Sequence, residues 1–190
     1  MARNETRRTA LTDAGLAVLA AQGARGLTHR AVDARAGVPA GTASNYFRTR
    51  RALVDALVAR IGERLAPRPD VHERLAQRAP TRALFADYIR DIVARLTTER
   101  EVVIALIELR LEASRTPEVA DALGAWQRAG FDADVAFNEE RGLPGDRRDI
   151  ALFHYAIDGL LLDRLTTSID PDTSTDDIVD ALVERLLPRD

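Results

Sequence analysis

The amino-acid sequence predicts an all-α protein, and three observations support this fold class. Alanine, leucine and arginine, which favour helices, are abundant, whereas aromatic residues make up only 5% of the 190-residue chain. Apolar residues recur at three- and four-residue intervals along most of the sequence. No alternating pattern typical of a β-strand extends beyond a few positions. We therefore expect a succession of about nine helices.

Four of these helices are predicted in the first third of the chain. The first runs over residues 6–21, because its apolar residues share one face and glycines follow it. Thr28 is a suitable N-cap for a second helix of about two turns that ends at Gly37. Pro39 suits the first turn of an equally short third helix, and Thr49 offers the N-cap of a longer fourth helix. Two short helices joined by a glycine-containing turn are typical of a helix-turn-helix unit.

The remainder of the chain is predicted to be helical as well. Three prolines between residues 66 and 80 indicate a linker with room for a short helix. Five further helices are expected over residues 81–97, 100–115, 117–142, 146–166 and 174–187. The predicted domains are a three-helix helix-turn-helix domain over 1–48, a connecting helix over 49–66 and a larger C-terminal helical domain over 67–190.

Charge is distributed unevenly along this chain, whose net charge is −3. Residues 1–51 carry nine arginines against three acidic residues, which gives +6, and the remainder carries −9. This asymmetry suggests a basic N-terminal region that meets a polyanion and an acidic C-terminal region that does not.

Several function classes find no support in the sequence. Cysteine is absent, the three histidines lie far apart, and no motif for a nucleophile, a phosphate loop or a zinc protease occurs. We therefore expect no enzyme, no metal site and no cofactor. No run of about eighteen apolar residues predicts a membrane span, and the N-terminus lacks the apolar stretch of a signal peptide. The absence of cysteine fits a cytoplasmic protein.

A distinctive set of residues lies within the segment 25–57. Its members are Ala36, Gly37, Val38, Gly41, Thr42, Tyr46, Phe47, Arg50 and Leu53. This set resembles the helix-turn-helix pattern of the TetR/AcrR family of transcriptional repressors, which usually has lysine where this chain has Arg50. The larger domain is similar to the family in architecture. The resemblance implies a C-terminal domain that binds a small molecule and forms a homodimer.

The resemblance also implies which residues contact DNA. The candidates are Thr28, His29, Arg30, Thr42, Ser44, Asn45, Tyr46, Arg48 and Arg50. Thr42 and Tyr46 match positions that touch phosphate in the family. Arg50 lies in the first turn of a helix, where the helix dipole disfavours a cation, so we expect an external anion to explain it.

The chain departs from the family pattern at two places. Ala43 and Ser44 are smaller than the residues usually found there, so base readout is expected to rest on Arg30, Ser44 and Asn45. Asp33 stands where the family usually has alanine. Because a carboxylate that faced DNA would be repelled, we expect Asp33 to pair with Arg30 or Arg35, or to face away.

Candidates for the ligand pocket lie in the C-terminal region. They are Phe85, Tyr88, Arg110, Trp126, Phe153, His154 and Asp158. Each aromatic residue could equally belong to the core, because apolar stripes are core by default. His154 and Asp158 are four residues apart on one helix and could bond each other instead.

Together these features predict a ligand-responsive DNA-binding transcriptional regulator, most simply a repressor that a small molecule releases from a palindromic operator. Its partners would be a double-stranded DNA operator, an effector of unknown identity and a second copy of the chain. The family implies that the two copies meet through the 146–166 helix and the C-terminal helix. Three alternatives remain open: a helical enzyme or carrier with an unused N-terminal domain, an architectural DNA-binding protein without a ligand, and a helix-turn-helix used only for packing.

Overall fold

The computed structural model describes residues 2–187, with side chains from residue 4 onward, and within this part of the chain it is entirely α-helical apart from turns. The helices are α1 (Ala2–Gly26), α2 (His29–Arg35), α3 (Thr42–Tyr46), α4 (Arg50–Arg64), α5 (Pro69–Ala76), α6 (Arg82–Thr98), α7 (Arg100–Ala113), α8 (Pro117–Glu140), α9 (Arg147–Leu165) and α10 (Thr175–Leu186). The predicted all-α fold class is confirmed.

Several helices begin at the caps that the sequence predicts. The Thr28 hydroxyl accepts a hydrogen bond from the N–H of Ala31 at 3.1 Å, and the Thr49 hydroxyl accepts one from the N–H of Ala52 at 3.0 Å. Ser174 caps α10 in the same way. Each such cap contributes about 1 kcal/mol, because it satisfies an N–H group that has no partner within the helix.

The first helix differs from its predicted limits of 6 and 21. It begins at Ala2 and continues to Gly26, although Gly23 breaks the helical geometry with a φ of 68°. Apolar periodicity could not place either end. Residues 4–8 are polar and exposed, and the interruption at Gly23 is a backbone feature.

The chain divides into two compact units. Unit 1 comprises residues up to 66 together with 99–127, and unit 2 comprises 67–98 together with the chain from 128 onward. The domain boundaries predicted at residues 48 and 66 remain predictions.

Unit 1 is built around α1, which packs against α7, α2 and α4. Its core consists of leucine, isoleucine and valine side chains from these helices, among them the fully buried Leu19, Leu57 and Leu109. The short helices α2 and α3 lie against each other at the start of this unit. The DNA-reading segment predicted from the sequence is therefore attached to a close-packed frame.

Unit 2 is built around α6, which packs against α5, α9 and α10. Phe85 on α6 and Phe153 on α9 are buried and form its aromatic centre. Arg82 donates hydrogen bonds to the carbonyl oxygens of Val183 and Leu187 and so satisfies the C-terminal end of α10. Among the residues described, no helix is long and apolar enough to cross a membrane.

Candidate nucleic-acid interface

The start of α3 is fixed from inside unit 1 by Asp33. This α2 residue is 3% exposed, and its carboxylate accepts hydrogen bonds from the N–H groups of Gly41 at 2.8 Å and Ala43 at 2.6 Å. Asp33 does not pair with Arg30 or Arg35; its carboxylate faces into the unit, which is the other arrangement expected from the sequence. A negative charge at a helix N-terminus is favourable because it faces free N–H groups and the positive end of the dipole. Asp33 thus joins α2 rigidly to α3.

A second bond joins the beginning of α2 to the end of α3. His29 Nε2 lies 2.6 Å from the carbonyl oxygen of Phe47, whose side chain is fully buried. His29, one of the predicted DNA contacts, therefore has a structural partner within the protein. Together with Asp33, this contact fixes both ends of α3.

Most of the predicted DNA-contacting residues lie at the surface of this unit. Thr28, Arg30, Ser44, Asn45 and Arg48 are exposed. Thr42 and Tyr46 are half-buried. The hydroxyl of Thr42 donates to the carbonyl of Pro39 and that of Ser44 to the carbonyl of Gly41. Each hydroxyl can therefore accept a hydrogen bond from a base, but it must give up its internal bond before it donates to a phosphate.

Arg50 has partners within the protein that were not predicted from the sequence. Its guanidinium donates to the carbonyl oxygens of Leu27 at 3.0 Å and Ala24 at 3.1 Å, and it lies 3.8 Å from a carboxylate oxygen of Glu112. These carbonyls belong to the end of α1, where a cation is favourable. The cation at the start of α4 is thus explained by the end of another helix, and its contact with phosphate remains a prediction.

Several arginines of unit 1 are available to an external anion. Among the described residues, no carboxylate lies within ion-pair distance of Arg7, Arg8, Arg25, Arg30 or Arg48, all of which are exposed. In α6 of unit 2, by contrast, Arg90 contacts both Asp87 and Asp180. The positive charge of the first 51 residues is therefore largely uncompensated by neighbouring side chains, as a surface that binds a polyanion requires.

The aromatic candidates of unit 2 pack against one another. Phe85 and Phe153 have ring centroids 4.8 Å apart, and Tyr88 meets the ring of Phe137 edge-on at 5.2 Å. His72, which the sequence analysis did not select, packs on both Tyr88 and Phe137. The Tyr88 hydroxyl is buried and has no hydrogen-bond partner among the described residues. A buried hydroxyl without a partner is costly, which marks Tyr88 as a position where a ligand could bond.

The two polar candidates of α9 are both near the surface of unit 2. His154 contacts Asp134 of α8, with Nε2 3.1 Å from a carboxylate oxygen, and packs edge-on against Phe131. Its partner is thus on a neighbouring helix, whereas the sequence suggested Asp158 on its own helix. Asp158 is exposed.

The two remaining pocket candidates belong to unit 1. Trp126 on α8 lies against Gly62 on α4, so closely that a Cβ at residue 62 would come within 2.9 Å of the indole nitrogen. Arg110 on α7 is exposed. Trp126 therefore has a packing role within unit 1, and its part in ligand binding remains a prediction.

One face of α9 is apolar and exposed. Leu152, Tyr155 and Leu162 are 37%, 71% and 49% exposed, and they share this face with Gly159. A Cβ added at Gly159 would meet no atom within 4 Å. Large apolar residues at this spacing on one helical face are typical of a surface that a partner covers.

Comparisons with known proteins agree with this arrangement. A model described as "Bacterial regulatory proteins, tetR family" matches residues 11–57, and one described as "Tetracyclin repressor-like, C-terminal domain" matches residues 80–189. The second match alone covers more than half of the chain. The chain belongs to the TetR family.

Several solved structures resemble the chain over nearly its whole length. The multidrug-binding protein EbrR in complex with imidazole is 28% identical, with 97% of this chain and 96% of that one covered and a TM-score of 0.71. EbrR in complex with ethidium is 26% identical over 96% and 99% of the two chains, also with a TM-score of 0.71. A TetR-family member from Streptomyces coelicolor A3 is 25% identical over 96% and 99%, with a TM-score of 0.72. No curated protein matches the chain.

Helices α2 and α3 lie within residues 11–57, which match the N-terminal DNA-binding domain of the TetR family. TetR-family proteins are DNA-binding transcriptional regulators that act as dimers and bind small-molecule ligands, and as a class they are not enzymes. The predicted DNA-binding regulator is thereby confirmed at the level of the family. The individual contact residues remain predictions.

Proposed function

We propose that this TetR-family chain is a homodimeric repressor whose two α2–α3 units bind a palindromic operator. The observation that carries this proposal is the combination of a fixed α3 with exposed polar residues and uncompensated arginines around it. A reading helix with both ends fixed loses little conformational entropy when it enters the major groove. Arginines that have no carboxylate neighbour can release the counterions of phosphate without first breaking an ion pair.

The dimer in this proposal forms through α9, with α10 beside it. The exposed face of Leu152, Tyr155, Gly159 and Leu162 offers an apolar surface in which a glycine allows close approach of a second helix. A two-fold axis would then relate the two α3 helices and require two half-sites about one turn of DNA apart.

A small molecule bound among the aromatic residues of the C-terminal region would release the DNA. The similar protein EbrR binds ethidium, and here the buried Tyr88 hydroxyl lies among aromatic rings. We infer a lipophilic, aromatic effector that changes the separation of the two reading helices through α4, which directly follows α3 in the chain. An effector that favours the released state by about 1 to 3 kcal/mol lowers operator affinity about 5- to 150-fold. This mechanism needs no reaction, and we place the protein with its operator in the cytoplasm.

The operator can be tested by selecting bound sequences from a random pool of DNA duplexes at near-physiological salt. We expect a palindrome with half-sites about one helical turn apart. The DNA upstream of the gene that encodes this chain serves as the comparison. If repeated rounds enrich no motif, the proposed repressor is wrong, and an architectural DNA-binding protein or a carrier takes its place.

The effector class can be tested with ethidium as the probe. The measurement uses the protein without DNA, because ethidium intercalates into double-stranded DNA and would bind there as well. Ethidium is itself fluorescent, so its fluorescence anisotropy reports binding to the protein directly. We expect ethidium to bind the wild type and to bind Tyr88→Ala at least about tenfold more weakly, the effect of losing one aromatic contact and one hydrogen bond. Equal binding by the two proteins would exclude Tyr88 from the site.

A further inference from the structure

A cleft on unit 1 extends the surface of α3 towards the first turns of α1. It has a volume of about 670 Å³ and is lined by Asn4, Glu5, Arg8, Asn45 and Tyr46. Asn45 and Tyr46 are predicted DNA contacts, whereas the three residues from α1 were not predicted to take part. The cleft therefore brings a new group of polar side chains next to the reading helix.

The Arg8 side chain is held in a defined position within this cleft. Its guanidinium carbon lies 4.8 Å from the ring centroid of Phe47, and that ring is fully buried beneath it. Phe47 is itself fixed, because its N–H donates to the carbonyl of Ala43 and its own carbonyl accepts from His29. A guanidinium that already lies over a fixed aromatic ring has lost part of its conformational freedom, so it loses less when it binds an anion.

The charges around the cleft favour a phosphate. Among the described residues Arg8 has no ion-pair partner, and Arg48 next to Phe47 has none either. Glu5 is the one carboxylate that lines the cleft. Because it repels anions, a phosphate would lie on the side of Arg8 and Asn45, and Glu5 would stay in solvent.

The exposure of the lining residues distinguishes between a DNA strand and a small ligand. Asn4, Glu5, Arg8 and Asn45 are all exposed. Small molecules need sites that bury most of their surface, which such an open cleft does not do. A phosphodiester strand passes along open surfaces and is held by side chains that reach its oxygens.

We propose that α1 forms part of the DNA-binding surface, with Arg8 and the neighbouring Asn4 in contact with the phosphate backbone beside the groove that α3 reads. This inference rests on the proposed function and adds a contact to it. Each protomer supplies one stacked arginine, so the dimer neutralises two further phosphates, one in each half-site. These contacts hold the register of α3 and carry no sequence information themselves.

The test is a salt titration of DNA binding by fluorescence anisotropy. The probes are the duplex selected from the random pool and a scrambled duplex of equal length. The variants are Arg8→Gln, Arg8→Lys and Asn4→Ala, and the matched control is Arg74→Gln. Arg74 is an exposed arginine on α5 of unit 2, it has no ion-pair partner among the described residues, and it does not line the cleft.

For Arg8→Gln we expect the slope of log affinity against log salt to become shallower by about two per dimer, and affinity for both duplexes to fall about tenfold or more at 0.1 M salt. Arg8→Lys should keep the slope and lose part of the affinity, because lysine retains the charge and loses the stacked geometry. Asn4→Ala should weaken both duplexes without a change in slope. Arg74→Gln should resemble the wild type.

The inference is overturned if Arg8→Gln and Arg74→Gln give the same slope and affinity. Asn45→Ala then shows whether the proposed function survives, since loss of discrimination in that variant confirms readout by α3 without help from α1. If the wild type binds neither duplex, the proposed function fails together with the inference. Thermal unfolding of every variant checks the fold, and a destabilised Arg8→Gln is replaced by the comparison of Arg8→Lys with the wild type.

Discussion

The carboxylate of Asp33 organises the helix-turn-helix from the inside. It bonds the N–H groups of Gly41 and Ala43 at the start of α3, and Gly41 adopts a φ of 89° that only glycine tolerates well. A residue that looked unfavourable for DNA binding therefore stabilises α3, the proposed reading helix. Because Asp33 is buried, it would repel a phosphate at the surface less than an exposed carboxylate would.

Replacement of Asp33 by alanine should lower the free energy of unfolding by about 2 kcal/mol, because two buried N–H groups lose their acceptor. Urea unfolding of the purified protein measures this change. The control is Asp55→Ala. Asp55 forms an exposed pair with Arg51 on α4, and its loss should cost no more than about 0.5 kcal/mol. Similar values for the two variants would contradict the capping role of Asp33.

Replacement of Arg50 distinguishes a structural role of this residue from a role in phosphate binding. Its bonds to Ala24 and Leu27 and its proximity to Glu112 are contacts within unit 1. Arg50→Ala should therefore lower the free energy of unfolding by about 1 kcal/mol, a modest value because the side chain is nearly half exposed. If the variant is as stable as the wild type but binds every duplex more weakly, phosphate is its main partner, as the sequence analysis predicted.

Individual helices were predictable wherever the signal is local. Thr28 and Thr49 mark helix starts through their own side chains, and the apolar stripes of α6 and α9 follow from periodicity alone. The partners of Asp33, Arg50 and His154 depend on residues distant in sequence or on other helices. The pattern of side chains along the sequence carries no information about such partners. The sequence therefore singled out Asp33, Arg50 and His154 but could not predict the groups to which they form hydrogen bonds or ion pairs.

The exposed face of α9 gives a prediction about dimerisation. Gly159→Leu should shift the dimer towards monomer, since the added side chain blocks close approach of a second α9. It should leave the fold of each chain intact, because an added Cβ meets no atom within 4 Å in a single copy. Gly130→Leu on α8 is the matched control, because Gly130 is also exposed and has the same open surroundings. Sedimentation velocity over a range of concentrations measures the difference, and identical profiles would exclude this face as the interface.

The segment that follows α9 gives a prediction about pH. Hydrogen bonds from the Ser168 hydroxyl and then from the N–H of Ile169 lower the pKa of Asp163, and the Thr173 hydroxyl lowers the pKa of Asp170. Because these bonds favour the charged carboxylates, their contribution to stability is present above the ordinary aspartate pKa and is lost as pH falls through the lowered values.

Ser168→Ala should therefore raise the pKa of Asp163 and reduce stability at neutral pH, with the difference from the wild type vanishing at strongly acidic pH. Carboxyl chemical shifts recorded during an NMR titration measure the pKa, and unfolding curves at several pH values measure stability. An unchanged pKa of Asp163 in the variant would show that the Ser168 bond does not stabilise the carboxylate.

At the scale of the whole molecule, the proposed repressor needs two reading helices held at one spacing. Each α3 is only five residues long and offers few base contacts, so a single unit binds weakly and the pair supplies the affinity. In the proposed repressor, the exposed face of α9 and the arginines around α3 therefore serve one purpose. The proposed dimer would convert two weak and salt-sensitive contacts into one specific complex.

This dependence on geometry can be measured on the operator. Inserting five base pairs between the half-sites turns one of them by about half a turn, so a dimer of fixed spacing can engage only one half-site. Affinity should fall to that for a duplex with a single half-site, at least about a hundredfold lower. An insertion of ten base pairs restores the angle but not the distance and should not recover the affinity. Equal affinity for the original operator and for the two duplexes with insertions would mean that the two units bind independently. An effector that acts through the separation of the units would then have no effect on the DNA complex.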